Sequence, residues 1–268
     1  MIRRINDLSI RSKFILLYLL GVLLPIIVLV VFVLTNVTTE IRQREQTNTA
    51  RSFDRVYSVV ESQFSNVNTL SNAIIADTAI TGSLNTWYDS PVRYYSTYYL
   101  TLRPQISRYL NAYAQLLTAV ELYTDNTTTF SGGVCMRIDD EARREPWFPA
   151  NMEDLPCFTP YVKKVVGLAD KLQVSYLRAF IDPSRYVRLL KIDLGMEPIR
   201  RAMEREKDYL SIYLVAPDGR VSCSYNMANI PASILRDSTP PENTDIQRGF
   251  ADGIGMNGWQ LVAVVNRL

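Results

Sequence analysis

A run of 21 uncharged residues, Phe14–Leu34, constrains this chain more than any other feature of its sequence. At about 1.5 Å of rise per residue, a helix of this length measures roughly 31 Å, which matches a bilayer core of about 30 Å. The run contains Gly21 and Pro25, which are unfavourable inside a soluble helix but are tolerated in a membrane helix. We therefore predict a transmembrane helix over residues 14–34.

The charges on either side of this run predict its orientation. Three arginines and Lys13 precede it against the single acid Asp7, whereas the residues after it are balanced in sign. Positive charge near a membrane helix favours the cytoplasmic side. We expect residues 1–13 in the cytoplasm and residues 35–268 outside the plasma membrane.

Two other interpretations of the run are weaker. A cleaved signal peptide has an apolar region of about 7–15 residues that ends at a small-residue cleavage site. This run is longer, and the following residues 35–40, TNVTTE, contain no such site. A buried soluble helix would have a polar face, and this run is apolar on every side.

Composition excludes several classes of catalytic site. The chain contains no histidine, so a His-based triad, a His-ligated metal site and a histidine phosphoacceptor are all excluded. Cys135, Cys157 and Cys223 have no C-x-x-C spacing, and either one disulfide or three thiols fits them. No phosphate-binding glycine motif is present, and Lys and Arg are spread along the chain. We expect no enzyme activity, metal, cofactor or nucleic-acid partner for this chain.

The periodicity after the membrane run predicts one long helix, residues 36 to about 76. Its far half carries an apolar stripe at spacings of three and four: Phe53, Val56, Val60, Phe64, Val67, Leu70 and Ile74. Its near half is polar all round, which is typical of a stalk that needs a partner helix. We therefore predict a signalling stalk over residues 35–82 and a homodimer, although a simple core helix fits the far half equally well.

The rest of the chain alternates between helical and strand patterns. A tyrosine-rich helix is predicted over residues 93–113, with a break near Pro104. Strands are predicted at 118–124, 127–133, 174–180, 186–194, 209–216, 220–225 and 259–265, with a helix at 197–207. The predicted fold class is α+β, with two sheet-centred modules after the long helix.

This order of segments resembles the extracellular half of a YesM-like bacterial sensor histidine kinase with a double Cache (dCache_1-type) sensor. The resemblance is carried by RINDLSIRSKFILLYLL, VSYLRAF, YVRLLKIDLGMEPIRRAM, YLSIYLVAPDGRVSCS and GWQLVAVVN, and it covers nearly the whole chain. It implies tandem PAS-like modules, a membrane-distal one over residues 83–190 and a membrane-proximal one over residues 191–268.

The resemblance also implies a function and partners. Such sensors bind a small-molecule ligand, often in connection with carbohydrate uptake. In that family a second membrane helix, a HAMP linker and a kinase region follow, and the kinase acts on an AraC-type response regulator. The same sensor type also occurs in chemotaxis receptors and cyclic-dinucleotide enzymes. A membrane-anchored surface or adhesion protein, and a membrane-anchored enzyme, are the remaining alternatives.

Candidate ligand-binding residues come from three segments. Amino-acid-sensing members of the family carry a motif resembling R-x-W-[FY]-x-x-A, and this chain has Arg144, Trp147, Phe148 and Ala150, with the arginine one residue further from the tryptophan. The arginine fits a ligand carboxylate and the tryptophan an apolar wall. Packing in the core explains Trp147 and Phe148 equally well.

The remaining candidates lie on predicted strands. Arg178 alternates with apolar residues, so its charge needs either a buried partner or a ligand. Tyr176 has the same parity on this strand, and Tyr123 lies on an earlier one. We expect all three side chains to face the pocket of the membrane-distal module.

Overall fold

The computed structural model describes residues 11, 14–15, 18–163, 171–180, 186–225, 245–250 and 255–266. The chain divides into two compact units, Met1–Arg51 and Ser52–Leu268.

In the first unit, the described residues include a π-helical turn, Leu19–Leu23, followed by helix α1, Leu24–Ala76, which continues into the second unit. Pro25 has no N–H to donate to the carbonyl of Gly21, and the wider turn next to it is the usual adjustment to such a gap. Within the described residues, one helix, Gly21–Ala76, is long and apolar enough to cross a membrane, with a mean hydropathy of 2.5 in its most apolar window.

In the second unit, α1 packs through the predicted apolar stripe. All seven stripe residues are at most 1% exposed: Phe53, Val56, Val60, Phe64, Val67, Leu70 and Ile74. This part of the long-helix prediction is confirmed. The helix ends at Ala76 because the side chain of Asp77 accepts hydrogen bonds from the N–H groups of Ala79 and Ile80 and caps the next helix, α2, Thr78–Asn85.

The tyrosine-rich segment is helical over residues 91–112, with a π-helical turn rather than a break just before Pro104. Helix α3, Pro91–Thr97, is followed by a π-helical turn, Tyr98–Leu102, and then by helix α4, Arg103–Ala112. Ser90 caps α3 by accepting from the N–H of Arg93. Pro104 cannot donate to the carbonyl of Leu100, and the π-helical turn occurs at this point.

A five-stranded sheet follows. Its strands are β1, Leu117–Thr124; β2, Cys135–Arg137; β3, Cys157–Lys163; β4, Lys171–Ala179; and β5, Arg188–Leu194. Their order is β2-β1-β5-β4-β3, with β1 and β2 parallel and the other pairs antiparallel. Helix α5, Asp140–Arg144, and a 3₁₀ turn, Met152–Asp154, lie between β2 and β3.

The first sheet differs from the sequence prediction in three places. The predicted strand at 127–133 is wrong; the chain turns there, with Gly133 at φ 64°, and the strand is β2. Strand β3 was not predicted because Pro160 interrupts its pattern, yet β3 is an edge strand, where proline is tolerated. The predicted module boundary at residue 190 falls inside β5, which continues to Leu194.

A four-stranded antiparallel sheet completes the unit. Helix α6, Glu197–Arg205, precedes β6, Leu210–Val215; β7, Val221–Ser224; β8, Ile246–Gly249; and β9, Gln260–Val265, in the order β7-β6-β9-β8. The indole N–H of Trp259 donates to the carbonyl of Phe158 at 3.3 Å, so this sheet shares a core with the first. The architecture is α+β with two sheets after a long helix, as predicted.

Candidate ligand-binding site

A cleft in the second unit lies on the face of the first sheet that points away from α1. Its volume is about 970 Å³, and β1, β3 and β5 supply its floor. Residues after α5 form one wall, and Arg220 reaches the cleft from the turn between β6 and β7. Cavities of roughly 300–1,000 Å³ are typical of small-molecule sites.

Four charged groups meet at the floor of this cleft. The ammonium of Lys191 lies 2.7 Å from Asp193 Oδ1 and 3.0 Å from Glu121 Oε2. Lys163 Nζ approaches Asp193 Oδ2 at 2.9 Å. The Asp193 carboxylate is fully buried and the Lys191 side chain is 3% exposed, whereas Lys163 is 42% exposed. Because buried charges need partners, this cluster is stable only as a unit.

Hydroxyl groups and aromatic rings complete the floor. The hydroxyl groups of Ser175 and Tyr161 both donate to Asp193, and the Tyr123 hydroxyl donates to Glu121 Oε2 at 3.0 Å. Lys191 Nζ lies 5.0 Å from the ring centroid of Trp147 and 5.4 Å from that of Tyr161. These are cation–π distances, so the ammonium is held by two carboxylates and two rings together.

The electrostatics keep these groups in their charged forms. Burial opposes ionisation of Asp193, but Lys191, Ser175 and Lys163 together hold its pKa below the ordinary value. Burial also opposes the charge on Lys191, yet Asp193 and Glu121 raise its pKa above the ordinary value. Burial, with Glu121 nearby, raises the pKa of Tyr123, so this phenol stays neutral. The floor therefore combines paired charges with hydroxyl groups.

Three of the six predicted site residues line this cleft. Arg144 is exposed at its rim, and Trp147 and Tyr123 form its aromatic wall, with ring centroids 4.9 Å apart. Phe148 packs behind Trp147, with ring centroids 5.6 Å apart, and supports the wall without lining the cleft. Trp147 thus has both a packing contact and a place at the cleft, because one side of its ring meets Tyr123 and another the Lys191 ammonium.

The expected orientation of Tyr176 and Arg178 is wrong. Tyr176 donates to Asn68 Oδ1 at 2.7 Å, and Arg178 donates to Ser71 Oγ at 2.9 Å and to Asn72. Both side chains therefore face α1, because side chains alternate between the two faces of a strand. The cleft side of β4 instead presents residues of the other parity, including Ser175. Arg178 finds its partners in the helix.

The charged residues at the floor of the cleft were not among the predicted site residues. Tyr161 and Lys163 lie on β3, the strand that was not predicted because it contains Pro160. Lys191 and Asp193 lie on a correctly predicted strand and share one parity within an otherwise apolar run. Two opposite charges on one face of a buried strand are a signal for a polar site, and this signal was readable in the sequence.

A second crevice, of about 490 Å³, lies between the tyrosine-rich helix and the loop before β2. Tyr95, Tyr99 and Phe130 are 45%, 55% and 40% exposed there. The hydroxyl of Tyr94 donates to the carbonyl of Phe130 at 2.8 Å, and that of Tyr98 accepts from the N–H of Val134. The buried tyrosines thus hold the loop, which fits the packing role expected for most of this cluster.

Comparison with known proteins gives a fold but no family. No protein-family model matches the chain, and no curated protein sequence matches it. Among solved structures, it is similar to the ligand-binding domain of the Campylobacter jejuni chemoreceptor Tlp3 in complex with L-valine, with a TM-score of 0.50 and 13% identity over 85% of this chain and 95% of that chain.

A second similar structure is the ligand-binding domain of the Pseudomonas fluorescens chemoreceptor CtaA in complex with L-leucine. Its TM-score is 0.50 at 15% identity, over 85% of this chain and 97% of that chain. At such identities the likeness concerns the fold. The chain therefore has the fold of Cache-like sensor domains, a long helix followed by two sheet modules.

Proposed function

We propose that this chain is a membrane-anchored extracytoplasmic sensor that binds a small polar molecule in the cleft of the first sheet. The observation that carries the proposal is the cleft itself, where a buried cluster of charges and hydroxyl groups meets aromatic side chains. A concave site with a few convergent polar groups is the usual form of a small-molecule site. Its rim carries donors such as Arg144 and Lys163, which fit ligand oxygen atoms.

The connection between the cleft and α1 supports a signalling role. On β4, Ser175 contacts Asp193 in the cleft, whereas the next residue, Tyr176, bonds α1. A ligand that shifts this strand would change contacts on both of its faces. Such a ligand must bind one of two conformations more tightly than the other, since only differential affinity moves an equilibrium.

The placement across the membrane follows from the N-terminal helix. Residues 14–34 would cross the plasma membrane, with residues 1–13 in the cytoplasm and 35–268 outside, as the charge asymmetry favours. The polar part of α1, over 35–51, favours a homodimer because a helix that is polar all round gains stability from a partner.

For the output we propose a YesM-like two-component histidine kinase that responds to a nutrient such as a carbohydrate and acts through an AraC-type response regulator. The segments named in the sequence analysis support this assignment. A chemotaxis receptor is the second candidate, because the solved structures of similar fold are chemoreceptor domains. The gene sequence downstream of the Leu268 codon distinguishes a HAMP-kinase continuation from a chemoreceptor signalling region.

Ligand binding by the complete chain in detergent micelles tests the sensor proposal. Thermal unfolding is recorded against saccharides, organic acids and amino acids, and a ligand at ten times its dissociation constant should raise the midpoint by about 3–6 °C. Arg144→Ala should weaken that ligand at least about tenfold by removing a charged hydrogen bond. The neighbouring Arg143 is exposed but does not line the cleft, so Arg143→Ala is the matched control.

Two results would contradict the proposal. One is the failure of every small molecule to shift the midpoint. The other is a ligand whose affinity is the same in wild type, Arg144→Ala and Arg143→Ala, because such a ligand binds outside the cleft.

A further inference from the structure

The surroundings of the Lys191 ammonium have the composition of a cation-binding site. Two carboxylates, Asp193 and Glu121, contact the nitrogen at 2.7 and 3.0 Å, and the rings of Trp147 and Tyr161 lie within 5.4 Å of it. Carboxylates and aromatic faces are the groups that proteins use to recognise ammonium ligands. Here the cation that fills the site belongs to the protein, and its side chain is 3% exposed.

The carboxylate at the centre of this site is already saturated. Oδ1 of Asp193 meets Lys191 and the Ser175 hydroxyl, and Oδ2 meets Lys163 at 2.9 Å. The Tyr161 hydroxyl lies 3.3 and 3.4 Å from the two oxygens. A carboxylate offers about four acceptor positions, so these donors fill them. A ligand ammonium would have to displace Lys191 or lose its hydration beside a like charge.

We propose that Lys191 is a built-in occupant of the cation position of this cleft, and that the cleft consequently selects an oxygen-rich ligand without an ammonium group. This inference rests on the proposed ligand-binding function and specifies its ligand class. Beside the filled position, two donors remain open to a ligand: Arg144 is exposed at the rim, and the Lys163 side chain is 42% exposed. The exposed carboxylates that also line the cleft belong to the α5 side: Asp139, Glu141 and Glu145. Hydroxyl and carboxylate oxygens are the acceptors that the two donors bind.

Emptying the cation position tests the inference directly. In Lys191→Ala the two carboxylates and two rings remain, but the tethered ammonium and its methylene chain are gone. We expect n-butylammonium, which has the four carbon atoms and the ammonium group of a lysine side chain, to bind this variant saturably. The thermal midpoint of the complete chain should rise by about 3–6 °C at ten times the dissociation constant, and not in the wild type. The fluorescence of Trp147, at the site, should titrate with the same midpoint.

Controls separate occupancy of this site from general effects of the amine. Lys207→Ala removes an exposed lysine outside the cleft and should give no response to n-butylammonium. n-Butanol, of the same shape but uncharged, should not stabilise Lys191→Ala. If Lys191→Ala does not fold, Lys191→Thr serves instead, since a β-branched side chain suits a strand. The inference is overturned if folded Lys191→Ala does not bind n-butylammonium, or if the thermal midpoint of the wild type rises equally.

Ligand binding by the wild-type protein is an independent test of the inference. Amino acids should leave its thermal midpoint unchanged, whereas oxygen-rich molecules without an ammonium group include its ligand. An amino acid that stabilises the wild type, and that binds at least about tenfold more weakly to Arg144→Ala, would occupy the cleft with its ammonium group and overturn the inference. The test of the cation position and the test of the sensor function have separate outcomes. The binding of n-butylammonium to Lys191→Ala requires no natural ligand. Failure of the whole ligand screen counts only against the sensor function.

Discussion

The ammonium of Lys191 and the carboxylate of Asp193 lie 2.7 Å apart, and both side chains are at most 3% exposed. The two residues are separated by one position on β5, so their side chains lie on the same face of the sheet. A buried pair of this kind contributes little net stability by itself, but removal of one partner leaves the other charge without compensation. Each of the two charges therefore depends on the other for compensation.

Loss of the buried carboxylate should be severely destabilising. Asp193→Asn leaves Lys191 and Lys163 without their shared partner, and we expect a loss of about 3–5 kcal/mol in the free energy of unfolding. Urea unfolding of the complete chain measures this loss. Lys207→Ala, at an exposed position, should stay within about 0.5 kcal/mol of wild type. An Asp193→Asn effect as small as that of the control would show that the cluster is not a coupled unit.

The same carboxylate should produce an acid-sensitive part of the stability. Its pKa in the folded protein lies below the ordinary value of 3.8, so its contribution is fully present above that value and is lost as the pH falls through the folded pKa. The difference in unfolding free energy between wild type and Asp193→Asn should therefore narrow between about pH 5 and pH 2. A difference that stays constant over this range would contradict the assigned direction of the shift.

Tyr176 should contribute to stability without contacting a cleft ligand directly. Tyr176→Phe removes the hydrogen bond to Asn68 Oδ1 at 2.7 Å and should cost about 0.5–1.5 kcal/mol. Because the side chain faces α1 and reaches a cleft ligand only through β4, the dissociation constant of that ligand should change less than it does in a variant on the cleft face. Tyr161→Phe, on the cleft face, is the contrasting variant and should weaken that ligand. A tenfold loss of affinity in Tyr176→Phe would place its hydroxyl at the ligand instead.

Gly133 should not tolerate a side chain. Its φ of 64° is unfavourable for other residues, and a Cβ there would overlap the buried hydroxyl of Tyr98. Gly133→Ala should destabilise the protein by about 1–3 kcal/mol. Gly82 lies inside α2 with open space around it, so Gly82→Ala should stabilise the protein by about 0.5–1 kcal/mol. Thermal unfolding of both variants checks the opposite signs, and a neutral Gly133→Ala would contradict this account of the loop.

Much of the architecture could be predicted from the sequence, because the periodic placement of apolar residues matches the faces that the fold buries. The stripe from Phe53 to Ile74 predicted a buried helix face, and every stripe residue is buried. The alternating runs that became β1, β4 and β5 predicted strands close to their observed bounds. β3 was missed because the tolerance of Pro160 depends on its edge position, and the order of strands in a sheet is a non-local property.

Three of the six predicted site residues line the cleft. The spacing around Arg144 and Trp147 led to two residues that line the cleft, and Tyr123 joined them by its position on a strand. Tyr176 and Arg178 were assigned to the wrong face because alternation along a strand shows which residues share a side, but not which side meets the helix.

The sequence by itself determined the apolar N-terminal run, the long helix and most of the strands, because hydrophobicity and periodicity are local properties of the chain. Only the tertiary structure decided which face of the first sheet α1 covers and which groups meet on the other face. Lys163 on β3 and Lys191 on β5 are 28 positions apart in the sequence. Both contact the Asp193 carboxylate, because only β4 separates their two strands in the sheet. The close approach of charges from separate strands depends on sheet order and register, which no single segment contains.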